Sequence, residues 1–154
     1  MCSAEHNLAV NSLTPEALAE IRAHAAAEYP AECCGIVFDD GVLRCTNVQD
    51  ALHAEDPDAF PRTARRAFRL AAREQLDLAR SFDGPRPARI LYHSHVDARA
   101  YLSDEDLRGA TFDGRPLYPR LLHLVVSVHD GAAGDAVLYS LDEAGPRELA
   151  RFTA

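Results

Sequence analysis

The spacing of apolar and polar positions divides the chain into helix-like and strand-like runs. Leu18, Ile21 and Ala25 recur at helical spacing behind Thr14-Pro15-Glu16, which supplies a capping residue, a proline at the first helical position and an acid in the first turn. The pattern predicts a helix from Pro15 to Glu28, closed by Tyr29-Pro30 because the residue before a proline disfavours helical geometry. Next, the apolar run Cys33-Cys34-Gly35-Ile36-Val37-Phe38 reads as a buried strand, and Asp39-Asp40-Gly41 turns the chain into a second strand from Val42 to Val48. Polar residues from Gln49 to Arg62, with Pro57 and Pro61 among them, predict a loop. The stretch from Thr63 to Ser81 is rich in Ala, Leu and Arg and free of Gly and Pro, so it predicts one long helix, ended by Asp83-Gly84-Pro85. Ala88 to His93 reads as a central strand, with His95 just past its end, and Ser103 opens a short helix from Asp104 to Gly109. Leu121 to Val128 and Ala136 to Leu141 read as a strand pair turned at Asp130-Gly131, and a last strand is expected near Glu148 to Phe152.

Strands interleaved with helices predict an α/β domain with a mixed sheet packed between helices. A length of 154 residues, 47% of them hydrophobic, suits one core and is short for two, so residues 1–154 are expected to form a single domain. The formal net charge of −8 argues against a nucleic-acid partner or an anionic membrane surface, both of which call for clustered positive charge. No run approaches the roughly 20 apolar residues of a membrane span. Met1 to Asn11 lacks the basic and apolar regions of an export signal, so a cytoplasmic protein is expected. Cys2, Cys33, Cys34 and Cys45 do not have the spacing of a disulfide framework; Cys33 and Cys34, adjacent in a strand, point to opposite faces as small packing residues.

Candidate chemistry lies in the second half. A catalytic zinc takes three ligands from His, Asp, Glu or Cys and leaves a fourth position open. In His93-Ser94-His95 the two imidazoles sit at i and i+2 of an extended segment and face one side. Alone they are ordinary polar residues. Ser103 and Asp106, three apart, share one face of a helical turn. Both also fit a helix start, Ser103 as N-cap and Asp106 as a first-turn acid, but an Asp106 side chain on a metal is no longer a free cap. Arg62, Arg65, Arg66, Arg69 and Arg73 recur at helical spacing as a basic face, read as solvated or as a dock for an acidic partner. His123 and His129 read as structural, and His6, His24 and His53 carry no signal.

The whole string is His-x-His, seven residues, Ser, two residues, Asp, with Glu32 upstream in Tyr29-Pro30-Ala31-Glu32-Cys33-Cys34-Gly35-Ile36. On these residues the chain resembles the JAMM (MPN+) zinc metalloprotease family over nearly its whole length. The resemblance implies a cytidine-deaminase-like domain with a curved mixed sheet. It also implies one catalytic zinc held by His93, His95 and Asp106, Glu32 as general base for an activated water, and Ser103 supporting the tetrahedral intermediate. The implied reaction hydrolyses an amide following the C-terminal glycine of a ubiquitin-like or sulfur-carrier protein. Tyr92-His93-Ser94-His95 and Leu124-Val125-Val126-Ser127-Val128 look like the small stand-alone bacterial members that act on sulfur carriers. Deconjugation from lysine, cell-wall peptide cleavage and a non-catalytic scaffold are the alternatives. Val96, followed by Asp97, stands where family members often have proline, which puts the loop exit in question and not the ligands.

Overall fold

The computed structural model describes residues 4–154, so Cys2 lies outside the described residues. Helix α1 (Ala4–Ser12), which the sequence pattern does not predict, precedes α2 (Pro15–Glu28). α2 starts and stops where expected: Thr14 Oγ1 accepts from the Ala17 N–H at 3.1 Å, and Pro15 opens the first turn. Strands β1 (Cys34–Phe38) and β2 (Gly41–Cys45) form the expected hairpin, with Phe38 opposite Gly41; that glycine has φ 147°, a conformation side chains disfavour.

Two expectations fail in the next segment. The predicted loop begins with α3 (Gln49–Glu55), and of the predicted helix from Thr63 to Ser81 only α4 (Ala72–Ser81) is helical. Residues 63–71 instead form an irregular arch. Its backbone bonds to distant segments: Ala64 C=O accepts from the Glu32 N–H at 2.7 Å and Arg69 C=O from the Val48 N–H at 3.0 Å. The Asn47 amide bonds both Ala67 C=O and the Arg69 N–H, at 3.1 Å each. Burial of Ala64, Ala67 and Leu70 fixes the arch further. Helix propensities differ by only a few tenths of a kcal/mol per residue, so these tertiary bonds and contacts win. The expected helical face of arginines is consequently absent: of the five, only Arg73 lies on α4.

The chain continues through β3 (Ile90–Val96), α5 (Asp104–Ala110), a short ribbon of β4 (Thr111–Phe112) and β5 (Arg115–Pro116), then β6 (Leu122–His129), β7 (Ala132–Asp142) and β8 (Gly145–Phe152). The large sheet has the order β2-β1-β3-β6-β7-β8, parallel between β3 and β6 and antiparallel elsewhere. Register shifts between Val126 and Val128 and between Leu138 and Tyr139 are of the kind that bend and twist a sheet.

Helices cover both faces, as the α/β expectation requires. On one, Ile21 and Ala25 of α2 and Ala9 of α1 pack with Val37, Ile90, Tyr92, Leu124 and Val126. On the other, Leu78 of α4 and Leu70 of the arch pack with Cys34, Ile36 and Leu121. Cys33 and Cys34 belong to opposite cores, as predicted. Gly35, paired with Tyr92, is required: a Cβ there would fall on the Tyr92 ring. The Tyr92 hydroxyl lies 2.7 Å from Nδ1 of the buried His24. Alternation along β3 sends Tyr92 to the α2 side and leaves His93 and His95 facing the other layer. Among the described residues no helix is long and apolar enough to cross a membrane.

Candidate metal centre

His93 and His95 lie inside β3 near its C-terminal end, not beyond it. Nε2 of each stands 3.1 Å from Oδ2 of Asp106 on α5. Asp106 reaches this point because Ser103 starts the helix: Asp106 N–H donates to Ser103 Oγ at 3.2 Å, and Ser103 N–H donates to Asp106 Oδ2 at 2.9 Å. One carboxylate oxygen thus closes the helix cap and faces both histidines, combining roles that the sequence set in competition.

The protonation states in this cluster follow from its surroundings. His95 Nδ1 lies 3.0 Å from the Arg99 carbonyl, which can only accept, so Nδ1 carries a hydrogen and Nε2 faces Asp106. Burial would push the Asp106 carboxyl up, but His93, His95 and the Ser103 N–H outweigh it and hold the group well below the usual carboxylate range. His93 Nε2 is buried and has no hydrogen bond despite its closeness to Oδ2. Both Nε2 atoms therefore crowd Asp106 Oδ2, an arrangement suited to a shared cation, either a proton on an imidazole or a metal ion. Two imidazoles and one carboxylate are a set of side chains that can hold a metal ion and leave a position open. Phe68 of the arch stacks on His93 with centroids 4.5 Å apart, and Tyr101 meets His95 edge-on at 5.1 Å, so both rings are fixed by packing.

Glu32 approaches from the start of β1. Its N–H donates to Ala64 C=O at 2.7 Å and its C=O accepts from Asn47 Nδ2 at 2.9 Å, so the residue is clamped by its backbone. The side chain is buried, and ligand atoms of Glu32, His93 and His95 all lie within 4.8 Å of one another. Oε1 has no hydrogen-bond partner. Burial first, and the charge of Asp106 second, push the Glu32 carboxyl up to about 9 against the opposing pull of Arg62. Glu32, His93, His95 and Asp106 thus converge at one point. The hydrogen bonds of Ser103 are those of a helix cap to Asp106.

Several supporting residues escaped the sequence. Asn47 reaches the site from a segment read as strand, Phe68 from one read as helix and Arg99 from the loop after His95, and no local spacing marks them. His123, read as structural, lines a cavity of about 370 Å³ that also touches His93 and Asp106. Burial, helped by His93 and opposed by Asp106, brings the His123 imidazole down to about 4, so it is neutral. The exit after His95 is secured without proline. Asp97 adopts φ 52°, its N–H donates to Val128 C=O at 2.7 Å, and its carboxylate accepts from Asp130 N–H and Tyr29 Oη at 2.9 Å each. The arginines are partly answered within the chain: Arg65 pairs with Asp97 at 3.2 Å, Arg73 with Asp77 at 3.5 Å and Arg62 with Glu105 at 3.9 Å.

Comparison with known proteins adds to this geometry. Residues 14–139 match the family described as prokaryotic homologs of the JAB domain. No curated protein matches the sequence. The solution structure of a protein from Desulfitobacterium hafniense is similar in fold, with a TM-score of 0.60 at 22% identity over 88% of this chain and 87% of that one. A solution structure from Salinibacter ruber gives a TM-score of 0.53 at 28% identity, over 89% of this chain and 87% of the other.

Proposed function

The chain belongs to the family of prokaryotic homologs of the JAB domain, and from that premise we propose that it is a zinc-dependent amide hydrolase. His93, His95 and Asp106 are its metal ligands, Glu32 its general base and Ser103 a donor to the developing oxyanion. One observation carries this reading: three buried acceptor atoms converge with Asp106 Oδ2 3.1 Å from each imidazole, beside a Glu32 Oε1 that has no partner of its own. A zinc ion there supplies Lewis acidity, polarising a carbonyl and bringing the pKa of water to about 7.

The protein's own groups do the rest. The Arg99 carbonyl keeps His95 in the tautomer whose Nε2 is free to bind, and Phe68 and Tyr101 hold the two rings in place. A divalent charge beside Glu32 opposes that of Asp106 and favours the ionised carboxylate, so Oε1 can take a proton from water and return it to the leaving amine. Ser103 Oγ accepts from Asp106 N–H and keeps its own hydrogen for a carbonyl oxygen that gains charge in the transition state. The proposed substrate is the glycine-ended tail of a ubiquitin-like or sulfur-carrier protein, cleaved at the amide after the terminal glycine. That choice follows the JAMM resemblance of the His-x-His, Ser and Asp string and of Glu32.

The test uses purified protein loaded with zinc and a sulfur-carrier protein extended beyond its terminal glycine. Stoichiometric zinc and release of the extension are expected. Glu32→Gln should retain zinc and lose about two to four orders of magnitude in kcat, the usual scale of general base catalysis. Full activity in that variant removes Glu32 from the base role. Absence of stoichiometric zinc makes the chain a scaffold, and release only from an isopeptide-linked lysine shifts the substrate to a conjugated modifier.

A further inference from the structure

The cavity beside the metal centre has a polar feature that the hydrolase reading leaves unused. Its walls are apolar, with Phe68, Leu91, Tyr118 and Leu121 among them, and its volume of about 370 Å³ is enough for a large side chain together with part of its backbone. Most polar groups on the lining already have partners. Gln49 and Gln75 donate to the Arg62 and Leu70 carbonyls at 2.9 and 2.8 Å, while Arg62 and Arg108 both face Glu105. His93 and Asp106 belong to the metal centre. His123 differs: it is 7% exposed, it lines the cavity, and no described residue hydrogen-bonds its ring. A buried imidazole left without a partner costs about 1–3 kcal/mol, so an entirely apolar occupant would forfeit that much.

We propose that this cavity receives a tyrosine side chain of the substrate, its ring packed among Phe68, Leu91, Tyr118 and Leu121 and its hydroxyl hydrogen-bonded to His123. The proposal rests on the hydrolase reading and specifies the substrate: a chain with tyrosine close to the scissile amide. A phenol suits the site because it joins a large apolar body to a single polar tip that can both donate and accept. A cationic side chain would lose its hydration beside Arg62, Arg69 and Arg108 on the lining, and an acidic one would be drawn to Arg69 over the Phe60 ring and leave His123 unanswered. Phenylalanine fits the walls and leaves His123 unanswered. Such a site discriminates by hydrogen bond more than by size.

Two measurements test it separately from the peptidase reading. In the first, N-acetyl-tyrosinamide and N-acetyl-phenylalaninamide are titrated into zinc-loaded protein with labelled histidine rings, followed by NMR. Tyrosinamide should bind about tenfold more tightly, corresponding to about 1.4 kcal/mol, and should shift the His123 resonances. His123→Phe should lose that preference with zinc stoichiometry unchanged, and His123→Gln, which keeps a hydrogen-bonding amide, should recover part of it. Equal binding of the two amides, or binding that leaves His123 unshifted, overturns the proposal. In the second, carrier-tail substrates carry Tyr, Phe, Leu or Ala in turn at each of three positions on either side of the scissile amide. A tyrosine advantage in kcat/KM at one position is expected. Hydrolysis with no tyrosine advantage at any position overturns the pocket and leaves the peptidase intact; selective tyrosinamide binding with no hydrolysis of any substrate does the reverse.

Discussion

The pair Gly35 and Tyr92 shows how tightly one residue can constrain the layer behind the metal centre. Gly35→Ala would put a methyl into the Tyr92 ring, and overpacking of this kind costs about 1–3 kcal/mol, to be read as a lower denaturation midpoint. Tyr92→Phe should cost a similar amount by leaving His24 Nδ1 buried without its partner. Burial, and then the charge of Arg44, keep the His24 imidazole below its ordinary value of 6.5. Its contribution to stability is therefore present above about pH 6.5 and is lost as the pH falls below it, because the unfolded chain takes up a proton that the folded chain resists. In thermal melts between pH 7 and 5, His24→Gln should flatten the acid-side fall; an unchanged fall would remove His24 from that role. Residues at this scale were unequally legible. His93, His95, Ser103 and Asp106 announce themselves by short spacings, since each pair is placed by one strand or one helical turn. His24, by contrast, becomes important only through Tyr92, which arrives from another element.

The arch of residues 63–71 marks where local sequence and tertiary structure diverge. Its composition favours a helix, and nothing nearby says that Glu32, Asn47 and Val48 will claim its backbone groups. α3 is hidden for a related reason: the mixed stretch before Pro57 and Pro61 looks irregular, yet Gln49–Glu55 make a short helix tied to the arch by the Ala64 N–H donating to Asp50 Oδ1. In contrast, α2, the β1–β2 hairpin, β6 and β7 were readable, because their apolar runs and turn residues agree with the positions that become buried. Asn47 joins these segments with bonds to Glu32 C=O, Ala67 C=O, Gln49 N–H and Arg69 N–H. Asn47→Ala should destabilise the protein by about 2–6 kcal/mol at the usual worth of roughly 0.5–1.5 per bond. Its kcat should fall with zinc content unchanged, because Glu32 loses one of its two backbone clamps while the proposed ligands sit on β3 and α5. Asp97 offers a second test at this scale. Asp97→Ala should lower the melting temperature and weaken zinc binding several-fold by freeing the exit after His95, whereas Asp97→Asn, which tolerates the same φ, should lie between.

For the whole molecule, the proposed ligands would couple metal binding to the fold. A zinc ion held there would stabilise the folded chain by mass action, about 2.7 kcal/mol at one hundred times the dissociation constant. Adding a chelator to the loaded protein should lower the melting temperature, and Asp106→Asn should abolish that shift; a shift that survives the substitution would place the ion elsewhere. The mixed sheet between helices was legible at this scale from the order of elements, while its strand order was not, because pairing partners lie far apart in sequence. The parallel alignment of β3 with β6 has a consequence for how the protein can be divided. A parallel pair cannot be joined by a tight turn, so residues 97–121 must travel back along the whole sheet, and Ser103 and Asp106 ride on that return path. A cut at the exposed turn of Asp113 and Gly114 would therefore leave Glu32, both histidines, Ser103 and Asp106 on one piece and the strands β6, β7 and β8 on the other. Each half would hold what the other lacks, ligands without a backing sheet and a backing sheet without ligands, so zinc uptake would report their reassembly.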